Sequence, residues 1–288
     1  MLGVVPHVGR AGEPVPELRQ FVLDAWDDFL AVVASADLSR PSRLKGLSCR
    51  DVLVHLGTWD DHLVLPGLVS AARTGSDEAA GGPDDINRRL LARHTAATHD
   101  DVRAALDRSR QESADWLASP EAEELGHAVV SSSVGRLPLL TVLHAGCYEL
   151  AVHALDLRAD RPSDRLLDHG LAALIDVTGA LAWQHGIAMS LTAMAPEGSW
   201  SFTSGTEGWT VDRASDPFAG PGVRGGAAVL LDASAGRVSL PPLLARRKVK
   251  VQDMAGFLRL APMIDAVPGL PGGPVLRTGV KALARLFS

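Results

Sequence analysis

Only two cysteines, Cys49 and Cys147, occur in 288 residues. Each falls in a stretch that reads as helix, so a disulfide framework is not indicated and the chain is expected to be cytoplasmic. Excess positive charge is also missing. The formal net charge is −6 and the pI near 5.9, which gives no field for a phosphate backbone or an anionic membrane, so neither is an expected partner. No apolar run reaches the roughly 20 uninterrupted residues of a membrane span. The longest candidate, VTGALAWQHGIAMSLTAMA, is broken by Gln184, His185 and two glycines and reads as a buried helix and its exit. The opening MLGVVPHVGRAGEP lacks the charged and continuously apolar regions of an export signal and reads as a loose lead-in. No internal repeat of useful period is found.

What is present is enough apolar material for a sizeable core: 46% hydrophobic against 22% charged residues, at a length that suits two ordinary domains. The first half is helical in pattern. In PELRQFVLDAWDDFLAVVAS, Leu18, Val22, Ala25, Phe29 and Val32 recur at helical spacing, with Asp24, Asp27 and Asp28 largely opposite. Ser48 is a good N-cap with Asp51 three residues on, opening a second helix through CRDVLVHLGTWDDHLVLPGLVSAART with Pro66 as a kink or break. GSDEAAGGPDD reads as a loop, and INRRLLARHTAA with DDVRAALDRSRQESADWLAS as one interrupted helical element. After a turn-rich SSSVGRLP, a fourth long helix runs from Leu139 to about Arg158. Four such helices suggest a bundle, an architecture that builds sites from facing helices.

The charged, proline-containing RADRPSDR marks a boundary, giving domains 1–162 and 163–288. Beyond it, DHGLAALIDVTGALAWQ reads as helix and SWSFTSGTEGWTVD as a hairpin pairing Trp200 and Phe202 against Trp209 and Val211. AAVLLDA and KVKVQ read as short strands, and DMAGFLRLAPMI and GPVLRTGVKALARLF as helices. The second domain is therefore expected to be α+β. GPGVRG has the spacing of a dinucleotide fingerprint without the strand and helix that fingerprint needs, and reads as a loop.

Within CYELAVHALDL, positions four and seven apart share a helix face, so Glu149, His153 and Asp156 form one stripe, with Gly146 on the same side a turn earlier. A carboxylate and an imidazole four apart can be a mere hydrogen-bonded pair, or can reach one metal ion. A third ligand must then come from another helix, and His55, flanked by Val54 and Leu56, is the best candidate. Two His and one Glu leave an open position, as in catalytic zinc sites. Asp156 could hold the distal nitrogen of a ligand His or pair with Arg158. Trp59 and His62 share the helical face of His55 and are expected at most to line a pocket. His144 and Cys49 read as structural, and Cys147 lies on another face from Glu149.

SCRDVLVHLGTWDDHL, DDINRRLLARH and YELAVHALDL resemble the successive signatures of the mycothiol-dependent maleylpyruvate isomerase family, whose bundles are DinB-like. The resemblance implies a DinB-like metal-binding four-helix bundle followed by a smaller sterol-carrier-like α+β domain. The second part is carried by WSFTSGTEGWTVD and LLARRKVKVQDMAGFLRL. It further implies a divalent metal, usually zinc, on His55, Glu149 and His153. The activity implied is thiol-dependent isomerisation or transfer, with mycothiol as the thiol and a small electrophile as substrate. Two departures stand out: Cys147 replaces an arginine common two residues before the Glu, and VQD replaces the usual glycine-aspartate. The functional arginine of the family's second domain has no counterpart by motif.

Overall fold

The computed structural model describes residues 7–59, 65–76, 83–132, 135–216 and 218–260. In chain order the elements are β1 (His7–Val8), a 3-10 turn (Gly9–Gly12), α1 (Val15–Ser35), α2 (Cys49–Val54), α3 (Leu65–Thr74), α4 (Pro83–Arg93), α5 (His99–Leu117) and α6 (Pro120–Leu125). There follow the hairpin β2 (Val129–Ser132) and β3 (Gly135–Pro138), α7 (Leu139–Asp156), α8 (Asp164–Gln184), β4 (Met189–Met194), β5 (Ser199–Gly205) and β6 (Gly208–Arg213). The chain continues with β7 (Gly222–Gly225), α9 (Ala227–Ser234), α10 (Leu240–Ala245), β8 (Val249–Gln252), α11 (Met254–Phe257) and a 3-10 turn (Leu258–Leu260). A helical region thus precedes an α+β region, as expected.

The first helix obeys its pattern: Leu18, Val22, Ala25, Phe29 and Val32 are all buried. Thr98 and Asp101 form a capping box that starts α5 afresh, which separates it from α4. Strand order in the larger sheet is β1-β6-β5-β4-β7-β8. The hairpin register sets Phe202 opposite Val211 and Ser204 opposite Trp209, while Trp200 faces Arg213. The lead-in is tied down by parallel pairing of β1 with β6.

Three local expectations are corrected. AAVLLDA is α9, not a strand: Ala227, Leu230, Leu231 and Ala233 are buried at helical spacing, and the Glu197 carboxylate accepts from the Ala227 N–H at 3.0 Å to cap the helix start. In GPGVRG, residues Gly222–Gly225 form β7 between β4 and β8. The tail of SSSVGRLP forms β3 and pairs with β2. The C-terminal candidate helix GPVLRTGVKALARLF lies outside the described residues.

Among the described residues one helix, α8, is long and apolar enough to cross a membrane, but 78% of its apolar window is buried inside the fold. Its contacts run to α7 on one side and to β5 and β6 on the other. Gly170 permits the close approach to α7, since a Cβ there would collide with Ala151. The boundary expected at 162/163 falls in the link between α7 and α8, and one buried apolar cluster runs through residues on both sides of it.

A buried polar knot joins the lead-in, α1, α7, α8 and the sheet. Asp176 accepts from His144 Nδ1 at 2.7 Å, Trp209 Nε1 at 2.7 Å and the Arg10 N–H at 3.4 Å. Gly9 sits at φ +55, and a side chain there would strike both Asp176 and Trp209. The Arg10 guanidinium lies 4.1 Å from the centre of the Phe21 ring and pairs with Glu13 at 2.7 Å. His144 is structural, as expected.

His169 packs 3.6 Å from the Phe21 ring centre, and neither of its ring nitrogens has a hydrogen-bond partner among the described residues. Burial pushes its pKa down to about 4, with the Asp168 carboxylate opposing and Arg165 reinforcing. The unfolded chain therefore takes up a proton that the folded chain refuses as pH falls below the ordinary histidine value. Stability conferred by the neutral ring is present at pH 7 and lost downward, by about 2 kcal/mol at pH 5. Urea midpoints of wild type and His169→Leu at pH 7 and pH 5 check this: the variant is expected to show a flatter acid limb, and an unchanged limb would refute it.

Candidate metal centre

Two helix ends and one helix middle build the site. The Ser48–Asp51 capping box starts α2, and the Cys49 thiol donates to the Leu157 carbonyl at 3.1 Å. With Cys49 against Leu157 and His55 against His153, α2 runs back along α7. The second helix does not continue through His55. It ends at Val54, and His55 is its C-cap.

The chain turns off because α5 captures it. Thr58 N–H donates to the Ala105 carbonyl at 3.0 Å, Ser109 Oγ donates to the Leu56 carbonyl at 3.1 Å, and Arg108 donates to the Thr58 carbonyl. Gly57 rests against Ala105. Pro66 then falls in the first turn of α3, where a proline needs no N–H partner, and makes no kink.

His55, Glu149 and His153 offer ligand atoms that all lie within 4.8 Å of one another. His55 Nε2 is 3.1 Å from His153 Nε2, and His153 Nε2 is 3.4 Å from Glu149 Oε2. Nitrogens about 2.1 Å from one tetrahedral ion stand about 3.4 Å apart, so these edges suit a single cation. The outer hydrogen bonds also fit. His153 Nδ1 donates to Asp156 Oδ2 at 3.0 Å, and His55 bonds to the Val52 backbone. In the neutral tautomer that these outer bonds favour, each ring carries its proton on the far nitrogen and can turn a lone pair inward, toward the other ring and the Glu149 carboxylate. Facing lone pairs repel unless a positive charge sits between them.

The electrostatics agree. Burial disfavours charge on His153, but hydrogen bonds to Asp156 and Glu149 outweigh it and raise its pKa. Burial and the neighbouring His153 push His55 down to about 3. Burial would raise Glu149, yet His153 and, at longer range, His55 and Arg237 hold it below the usual carboxylate range. The cluster thus draws in one positive charge and rejects a second. Its open side is at Glu149, whose side chain is 43% exposed, while His153 is nearly enclosed.

Asp156 is fully buried, and its partner is not Arg158. Arg237 Nη2 donates to Oδ2 at 2.9 Å and Nε to Oδ1 at 3.1 Å. Burial opposes ionisation of Asp156, but His153 and Arg237 hold its pKa low. Arg237, just past α9, is the site residue that sequence reasoning missed. It lies 81 residues from Asp156, and no spacing rule connects them. Neighbouring contacts add to this: Asp232 of α9 pairs with Arg43 of the α1–α2 link at 2.8 Å, and the Ser234 hydroxyl meets that of Tyr148 on α7 at 3.2 Å.

The remaining expected residues divide. Gly146 lies on the stripe, and among the described residues nothing would come within 4 Å of a Cβ there. Trp59 turns away from the donor cluster: its ring stacks on His94 at 4.0 Å and its Nε1 donates to the Val54 carbonyl at 2.7 Å. The expected shared face with His55 is lost because the helix ends first. His62 lies outside the described residues. Both cysteines are free and buried, and burial pushes the Cys147 thiol up to about 12, so it stays protonated.

Residues 21–158 match the family model of the mycothiol maleylpyruvate isomerase N-terminal domain. A crystal structure of the mycothiol-dependent maleylpyruvate isomerase is similar in fold, with a TM-score of 0.54 and 18% identity over 87% of this chain and 97% of that one. A histidine-to-alanine mutant of that isomerase gives a TM-score of 0.53 at 18% identity and the same coverage. No curated protein matches the sequence significantly.

Proposed function

We propose that this chain, whose residues 21–158 match the mycothiol maleylpyruvate isomerase N-terminal domain, is a metal- and thiol-dependent enzyme of small electrophiles. His55, Glu149 and His153 hold a divalent cation, zinc by the donor set of two imidazoles and a carboxylate. The observation that carries this is the convergence of three ligand atoms within 4.8 Å, with the far nitrogen of each ring already occupied. In this reading residues 1–162 form the DinB-like bundle, residues 163–288 a sterol-carrier-like domain, and the enzyme works in the cytoplasm.

A bound divalent cation stabilises a coordinating thiol as thiolate at neutral pH, and mycothiol is the thiol that the family suggests. The protein's own groups do the rest. Asp156 fixes the His153 proton on Nδ1, Arg237 keeps Asp156 ionised, and Glu149 presents the donor set to the side from which thiol and electrophile arrive. A thiolate so held would form a carbon–sulfur bond with the electrophile. Expulsion of a leaving group completes S-transfer. Addition to a cis double bond, rotation about the resulting single bond and elimination of the thiolate complete isomerisation, of which maleylpyruvate conversion is the narrower case.

The test is metal analysis of wild type and His153→Ala after zinc loading, then calorimetric mycothiol binding with and without chelator. Near-stoichiometric metal in the wild type, its loss in the variant and chelator-sensitive thiol binding are expected. Absence of metal in the loaded wild type would overturn the proposal, whereas metal without thiol binding would favour a non-catalytic metal- or lipid-binding module.

A further inference from the structure

The interiors of α7 and α8 contain three glycines, Gly146, Gly170 and Gly179. Packing demands two of them. A Cβ at Gly170 would stand 2.4 Å from that of Ala151, and one at Gly179 would stand 2.9 Å from the Trp209 ring and 3.0 Å from Phe202. At Gly146 a Cβ would meet nothing within 4 Å among the described residues, and its φ is not in the left-handed region. Neither packing nor backbone conformation calls for glycine there, and alanine would suit a helix interior better. We propose that Gly146 is a specificity-determining residue of the metal centre: its missing side chain leaves the approach to the donor cluster open to ligands that are bulky beside their coordinating atom. This rests on the reading of His55, Glu149 and His153 as metal ligands.

The direction of that approach follows from the helix. Side chains on α7 lean toward its N-terminus, so Glu149 leans over the turn that holds Gly146, and His153 over the turn that holds Glu149. The C-terminal side of the cluster is closed. His153 Nδ1 meets Asp156 at 3.0 Å, Arg237 covers Asp156 at 2.9 Å, and the His153 side chain is only 8% exposed. Toward the N-terminal side the cover thins: the Glu149 side chain is 43% exposed, and Ala145 and Gly146 are half-buried. A ligand whose donor atom reaches the cluster from that side lays its substituents across Gly146.

Size is what this surface selects. No Asp, Glu, Lys or Arg precedes Glu149 in α7, and the imidazole of His144 is buried against Asp176. A leucine at position 146 would fill the space beside Glu149 without touching any charge, and would narrow the approach while leaving the three donors in place.

The test uses the full chain loaded with Co2+, whose visible absorption changes as a further ligand joins the donor set, in wild type, Gly146→Ala and Gly146→Leu. Imidazole and phenylimidazole are titrated separately, the same kind of donor nitrogen without and with an attached ring. Both are expected to bind wild type. In Gly146→Leu, Co2+ uptake is retained, the imidazole Kd stays within about twofold, and the phenylimidazole Kd weakens about tenfold or more. Metal-free Gly146→Ala is expected to melt about 2–3 °C above wild type, since it gains a better helix former and meets no neighbour. Unchanged binding of both probes in Gly146→Leu, equal weakening of both, exclusion of phenylimidazole from wild type, or a lower Tm in Gly146→Ala overturns the inference. Absence of Co2+ uptake by wild type overturns it together with the metal-centre reading. Mycothiol titrated alongside separates it from the proposed activity: failure of the thiol to bind where both imidazoles do counts against the thiol-dependent enzyme and upholds the open approach.

Discussion

Replacing Asp156 with alanine is expected to weaken metal binding by about 10- to 100-fold and lower stability by about 3–5 kcal/mol. The two effects have different origins in the same side chain. Asp156 holds the proton of His153 on Nδ1 and so keeps the Nε2 lone pair directed at His55 and Glu149. Without it the ring is free to change tautomer or rotate, and the donor set loses its shape. The stability loss comes from Arg237, whose guanidinium is left largely buried without its carboxylate. Competition with a chromophoric chelator measures the first effect and urea unfolding of the metal-free protein the second. Arg237→Ala separates them, since Asp156 still holds His153 there. Its metal affinity is expected to fall less than that of Asp156→Ala. Equal affinity in wild type and Asp156→Ala would show that the carboxylate serves the domain contact alone.

The second large effect is expected at Asp176, far from any ligand atom. Asp176→Ala strands three buried donors at once: the His144 imidazole, the Trp209 indole and the backbone N–H of Arg10. Each unsatisfied group costs about 1–3 kcal/mol, so a total near 4 kcal/mol is expected, a large part of the stability of an ordinary domain. Thermal and urea unfolding of the variant check this, and the cycle with His144→Leu measures the coupling: the double variant is expected to be less destabilised than the sum, because His144 no longer needs an acceptor. A change under about 1 kcal/mol would mean that solvent replaces the carboxylate in the knot.

The long elements and two members of the candidate donor cluster are legible in the sequence for one reason: both depend on spacing within a single helix. Leu18 to Val32 announce α1, and Glu149 and His153 announce their shared face. His55 was identified as the third member, but its setting was misread. Nothing in DVLVHLGTW says that α5 will capture the backbone at Leu56 and Thr58, so the helical phase was carried on to Trp59, which turns toward His94 instead. AAVLLDA misled because a short apolar run suits a buried strand or a buried helix equally, and the deciding cap comes from Glu197, 30 residues earlier. Arg237 could not be read at all, since its role exists only after α9 has docked against the end of α7.

The enclosure of α8 has a consequence for how the molecule opens. A helix covered by α7 on one side and by the sheet on the other can exchange its amide hydrogens with solvent only when one layer lifts away. The Arg237–Asp156 link ties the segment after α9, a helix that packs on both α7 and α8, to the end of α7 as well. Shared burial of α8 between the layers is expected to couple their opening, which amide exchange of α8 would show as protection matching that of the sheet. With that coupling, a destabilising change in the sheet is expected to reach the His55–Glu149–His153 cluster as a rise in the fraction of molecules in which its geometry is lost.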